Sequence, residues 1–228
     1  MRLHTTTVLS LSAFAVLALV SCSTSSTSST GSAAAATAPS KNASVPAPLS
    51  SAALSKRLLS ESDLGEGYTR TPQRPAAHDD VTVIGCPAVE QLGATAATGV
   101  ELDFSRNAKV SFTYAGGSDS ELAEELYSDT AAKLSKSIGE IFDAMVSCPT
   151  YQVVAGSTVI DVGTHTTAAP ALGDERWSQL LTFSVGGQRS VVKQTAVRTG
   201  NVLVIVSGSP GLVDAHLEKA LAKARPAH

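Results

Sequence analysis

Residues 176–206, RWSQLLTFSVGGQRSVVKQTAVRTGNVLVIV, constrain the fold more than any other part of the chain. Three strand-like runs are separated by two tight turns, Gly186-Gly187 and Thr199-Gly200-Asn201. Strands joined by such short turns pair antiparallel, because a parallel neighbour needs a long crossover. In the first run Trp177, Leu181, Phe183 and Val185 fall on one side, the period of a strand with one buried face. The last run, Val202 to Val206, is apolar at every position and reads as a central strand covered on both faces. A sheet of this kind needs helices to cover it.

The rest of the chain supplies them. Ala52 to Leu59 places Leu54, Leu58 and Leu59 along one side of a short helix, and ESDLGEGYTRTP then reads as a loop. Pro87 to Leu92 suits one or two helical turns. Residues 100–114 predict a hairpin: Val100, Leu102 and Phe104 alternate with polar residues, as do Val110, Phe112 and Tyr114, with a turn at 105–108. From Ser118 to Cys148 the pattern predicts one long helix. Ser118 and Glu121 fit a capping box, acidic residues 119–125 crowd its start, and Leu122, Leu126, Leu134, Ile138, Ile141, Phe142 and Met145 form a stripe. YQVVAG and STVIDVG are short strands, and a helix with Leu217 and Leu221 inward begins near Pro210. The expected class is α+β: an antiparallel sheet packed by a long amphipathic helix and a C-terminal helix.

Ahead of this domain stands an export signal. Arg2 gives a thin positive start, and Val8 to Val20 is an apolar run too short for a confident membrane span. Leu19-Val20-Ser21-Cys22 resembles the lipobox of bacterial lipoproteins. That resemblance implies that residues 1–21 are removed and that Cys22 carries a diacylglycerol on its sulfur. Two acyl chains anchor stably where one does not. Residues 22–51 are then a Ser/Thr/Ala/Pro-rich tether, too poor in apolar bulk to offset ordering entropy. Its coil reach is roughly 30 Å. The folded domain is expected over residues 52–225.

The chain has 17 Lys and Arg against 20 Asp and Glu, and Arg2 is the only one of these in residues 1–21, so processing leaves a net charge of −4. No basic run is present and only 4% of residues are aromatic, which disfavours nucleic-acid binding. With Cys22 lipidated, Cys86 and Cys148 remain. In an exported chain a disulfide between them is expected; a pair of reactive thiols is the alternative, without a Cys-x-x-Cys motif to favour it.

The order LLSESDLGEGY, a cysteine, AMVSCPTYQV, PALGDERWSQLLTFSVGG and AVRTGNVLVIVSG resembles the sensor-type extracellular domains related to the ectodomain of the mycobacterial receptor serine/threonine kinase H, a type that recurs in actinobacterial lipoproteins. The Gly173-Asp174 and Arg198-x-Gly200 turns are its most recognisable points. The resemblance implies an antiparallel sheet with packed helices, a cleft and ligand sensing outside the cell. It covers no kinase domain, so any signal would leave through a partner. One disulfide is on offer where the kinase ectodomain has two.

Catalytic motifs are not found: no Gly-x-Ser-x-Gly, His-Glu-x-x-His or P-loop. His78-Asp79-Asp80 reads as a solvated loop rather than a metal site, His165 as exposed, and His216 as near the surface of the last helix. The acids at 119–125 read as helix capping rather than a catalytic pair, and those charges oppose an anion site in AGGSDS. Trp177, the single tryptophan, either caps one end of the core or forms a cleft wall against an apolar ligand. The expected function is a non-catalytic binding or sensor lipoprotein on the outer face of the cell membrane. It would need no cofactor or metal, and it would take a small-molecule, lipid or protein ligand. The rivals are a lipid or glycolipid carrier and a cell-wall hydrolase.

Overall fold

The computed structural model describes residues 47–72, 81–93, 102, 104–116 and 120–225. The described residues open with two short helices, α1 (Ser51–Ser55) and α2 (Glu61–Leu64), and strand β1 (Tyr68–Thr71). Strand β2 (Val81–Ile84) and α3 (Pro87–Leu92) precede the pair β3 (Asn107–Tyr114) and β4 (Ser120–Ser128). Helix α4 (Ala131–Ser147) leads into five strands: β5 (Thr150–Ala155), β6 (Thr158–Thr166), β7 (Glu175–Val185), β8 (Gln188–Thr199) and β9 (Val202–Gly208). Helix α5 (Pro210–Ala224) ends the described chain.

The strands form one nine-stranded sheet in the order β1-β3-β4-β9-β8-β7-β6-β5-β2, and every pairing is antiparallel. The expected meander β7-β8-β9 is its centre. Gly186 and Gly187 both take positive φ, 56° and 83°, as the tight β7-β8 turn requires. Strand β9 is buried from Val202 to Val206. Leu203 and Ile205 face the core under α4, while Val202, Val204 and Val206 face the core under α5.

The long helix differs from its expected extent. Residues 120–128 are strand, and the helix begins after Thr130, whose hydroxyl caps the Lys133 N–H. Leu122 and Leu126 lie four apart, which suits a helix stripe and a strand face alike. The stretch has strong helix formers, but pairing with β3 and β9 on either side overrides that propensity. The acids therefore cap nothing: Glu121, Glu124 and Glu125 are strand residues. β3 pairs with β1 and β4; of the expected first arm of the hairpin, Leu102 and Phe104 are buried outside any strand, and Val100 lies outside the described residues. The supposed loop at 61–72 contains α2 and β1.

The two helical layers are offset. On one face α4 and α3 cover β5 to β9 through Leu134, Ile138, Ile141, Phe142 and Met145. On the other, α5 and α1 cover β3, β4, β9 and β8. The Cys86–Cys148 disulfide joins the start of α3 to the end of α4. No described helix covers the second face of β2, β5, β6 and β7, and that offset creates the candidate site.

Candidate functional site

The uncovered face holds an open trough of 660 Å³. Its residues come from register. Ile84, Gln152, Asp161, Ser184 and Arg189 are successive cross-strand partners on β2, β5, β6, β7 and β8. The next row runs Thr150, Gly163, Thr182 and Val191. Alternation sends the intervening Tyr151, Val153, Val162 and Leu181 to the core under α4. Gln152 Nε2 donates to Asp161 Oδ1 at 2.8 Å. Gly163 leaves the floor without a side chain; a Cβ there would sit 3.7 Å from Thr182 Cβ and 3.9 Å from Pro149 O, ordinary contact distances.

The lining is mixed. Amide, carboxylate, hydroxyl and guanidinium groups stand beside aliphatic side chains, with Ile84 50% exposed. His165 lies at one end, exposed, and pairs with Leu180 across the sheet. Asp161 and His165 are four residues apart on one strand, roughly 13 Å, so they make no acid–base dyad. Ser184 stands opposite Asp161, not opposite a histidine. The arrangement offers hydrogen bonds and shallow apolar contact, without a nucleophile poised beside a base.

A second groove of 400 Å³ lies between α4 and the β6–β7 connection. Trp177 forms one wall with its ring centroid 6.4 Å from that of Phe142. Val146, Asp143 and Arg176 line it as well. In its lining, Ser178 accepts from the Thr167 hydroxyl at 2.9 Å and pairs with Thr195 at 3.0 Å. Trp177 is half-buried and also packs against the α4 core.

The two turns that carried the family resemblance meet in space. Asp174 Oδ2 accepts from Gly200 N at 2.7 Å and from Arg198 Nη1 at 3.1 Å, and Arg198 Nε donates to Glu175 Oε2 at 2.7 Å. Gly173, at φ 64°, lets the backbone approach so closely that a Cβ would come within 2.5 Å of Arg198 O. The Arg198 guanidinium holds the Glu175 carboxyl below its ordinary pKa. This is a clasp that fixes the β6–β7 connection to the β8–β9 turn.

The remaining sequence candidates scatter. His216 Nε2 hydrogen-bonds the Tyr68 hydroxyl at 2.7 Å on the α5 side. Cys22, His78, Asp79, Asp80, Ser118 and Asp119 lie outside the described residues. Among the described residues no group of three or more His, Cys, Asp or Glu side chains is gathered for a metal ion, and no helix is long and apolar enough to cross a membrane. The trough residues went unnoticed in sequence because each is the polar partner in a different strand. Only the register brings them together.

An α+β sheet with helices offset on its two faces and one open concave surface defines the fold. This fold is similar to that of the extracellular domain of PknH from Mycobacterium tuberculosis, with a TM-score of 0.59, 14% identity, and 78% of this chain and 97% of that one covered. At this identity the likeness speaks for the fold alone. A putative uncharacterized protein from Mycobacterium smegmatis aligns at 11% identity and a TM-score of 0.41, covering 76% of this chain and 97% of that one. No family model matches the chain, and no curated protein does.

Proposed function

We propose that the chain is a non-catalytic, extracytoplasmic binding module, held at the membrane by a lipid on Cys22, that takes its ligand in the trough of the open sheet face. One observation carries this reading: the larger concave surface is shallow and mixed in chemistry, neither a deep apolar cavity suited to acyl chains nor a convergent polar site suited to hydrolysis. The fold shared with the extracellular domain of PknH and the Cys86–Cys148 bond agree with a location outside the cytoplasm. The Trp177 groove is the secondary place for an apolar group of the same ligand.

Two experiments test the proposal. Metabolic palmitate labelling should mark the wild-type protein and leave Cys22→Ala unlabelled and released from membranes; a labelled or membrane-held variant contradicts the anchor. The purified chain should bind a component of aqueous cell-wall digests and return it unchanged. Turnover of that component contradicts the module reading in favour of a hydrolase, and binding only from organic extracts favours a carrier.

A further inference from the structure

Glu124 is the one acidic side chain of β4 that points into the core. It is 1% exposed, and its neighbours across the sheet are Val110 on β3 and Val206 on β9, both buried aliphatics. Leu122 and Leu126 flank it along the strand on the same face. One carboxyl oxygen, Oε2, accepts the Leu59 N–H at 2.6 Å. The other, Oε1, is buried and meets no donor among the described residues.

Leu59 belongs to residues 47–64, a strap laid across the sheet and α5 before β1. Leu54, Leu58, Leu59 and Leu64 are its buried contacts. Its first end is pinned by Asn201 Nδ2 to Ala47 O at 2.6 Å and by Leu49 N to Ser128 Oγ at 2.8 Å. The charged groups around Glu124 make their direct contacts elsewhere. On α5, Lys223 is ion-paired with Asp63 of α2, Lys219 donates to Asp63 O at 2.6 Å, and His216 bonds Tyr68. On the strap, Arg57 donates to Ala224 O at 3.1 Å, Lys56 is exposed, and Glu61 accepts the Arg70 N–H at 2.7 Å. Among the described residues Glu124 enters no ion pair.

A buried carboxylate without a cation, and with one oxygen unsatisfied, is costly. The neutral acid is tolerated, and on ionisation the group must draw in water or leave the core. We propose that Glu124 is a proton-operated latch for the N-terminal strap: protonated, it lies closed beneath Leu59, and ionised, it loosens the turn between α1 and α2. The latch goes beyond the binding reading and stands whether or not residue 22 is lipidated. Because residues 47–64 take in the last residues of the expected tether, 22–51, and the start of the folded body, it places pH control where the two meet in sequence.

The titration agrees. Burial pushes the Glu124 carboxyl up to about 7; the Leu59 N–H and Lys223 pull against that and Asp63 adds to it. In the open strap the group returns to its ordinary 4.5. The penalty on the closed state is therefore absent below pH 4.5, grows as pH rises to about 7, and is constant above. Asp63 runs the other way. Its hydrogen bonds from Lys223 and Ser60 hold it down to about 2, so its stabilising contribution is complete above pH 4 and does not vary between pH 5 and 8. Burial, helped by Lys219, lowers His216, so its effect also has the opposite sign: it favours closure as pH rises toward its ordinary 6.5 and is constant above.

Hydrogen exchange on the full chain, corrected for the intrinsic rate, tests the latch. Protection across residues 50–66 should fall roughly 30-fold from pH 5.5 to 8, while α4 keeps its protection. In Glu124→Gln, which keeps the acceptor for Leu59 without the charge, that fall should vanish. Strap protection that is flat in the wild type, or that falls equally in the variant or together with α4, overturns the proposal. Should the variant not fold, the carboxyl ¹³C shift of Glu124 in the wild type decides: a midpoint near 7 supports the latch, and one near 4.5 overturns it.

Discussion

The two halves of the sheet are built from the same backbone and serve different ends. In the half formed by β3, β4, β9 and β8, α5 and α1 cover one face, α4 reaches the other at β8 and β9, and β9 is aliphatic at five consecutive positions. In the half formed by β7, β6, β5 and β2, one face meets α4 and α3, and the other carries Gln152, Asp161, Gly163, Thr182 and Ser184. Covering a face is decided by side-chain alternation: a strand that is apolar at every position must be sandwiched, and one that alternates needs a single cover. The first half supplies stability. The second leaves one face without a described helix over it, because its core side is already satisfied.

This contrast predicts a gradient of effects. Losing the disulfide, as in Cys86→Ser with Cys148→Ser, should cost roughly 4 kcal/mol in denaturant unfolding, because it releases a loop of sequence separation 62. That bond holds the half with only one helical layer, so reduction should raise hydrogen exchange in β2 and α3 ahead of β9. Leu203→Ala in the sandwiched half should cost about 3 kcal/mol by the same measurement. Arg198→Ala should cost roughly 1–2 kcal/mol by opening the clasp with Asp174 and Glu175, and leave the trough rows in place. Gly163→Val should change stability by less than about 0.5 kcal/mol, because a Cβ there meets only ordinary contacts on a solvated strand. It should nevertheless fill the trough floor. A large loss of stability from Gly163→Val, or a negligible one from Leu203→Ala, would erase the distinction between the halves.

The strand meander was legible because its turns and alternation were local. Gly186-Gly187 and the aliphatic run at 202–206 needed no tertiary information. β4 was not legible: ELAEEL has helix-forming residues with leucines four apart, and the polar Glu124 at a core position disguised the period of two. The same residue that hid the strand is the one that makes the latch. The cysteine pairing followed from composition, whereas the trough could not be read at all. Gln152, Asp161, Ser184 and Arg189 span four strands, and a shift of one residue in any pairing would scatter them. Trp177 stood out as the single tryptophan, yet the larger surface lies on the opposite face of the sheet. The Gly173-Asp174 and Arg198-x-Gly200 turns were conspicuous for a structural reason, since they form the two sides of one clasp.

The central claim is that the uncovered sheet face is where ligand binds. Backbone amide shifts of the labelled protein, followed while a soluble cell-wall digest is titrated in, test it most directly. Perturbations should cluster at Gln152, Asp161, Gly163, Ser184 and Arg189 and disappear in Gly163→Val. Perturbations that spare these residues, or that persist unchanged in the filled variant, would contradict it.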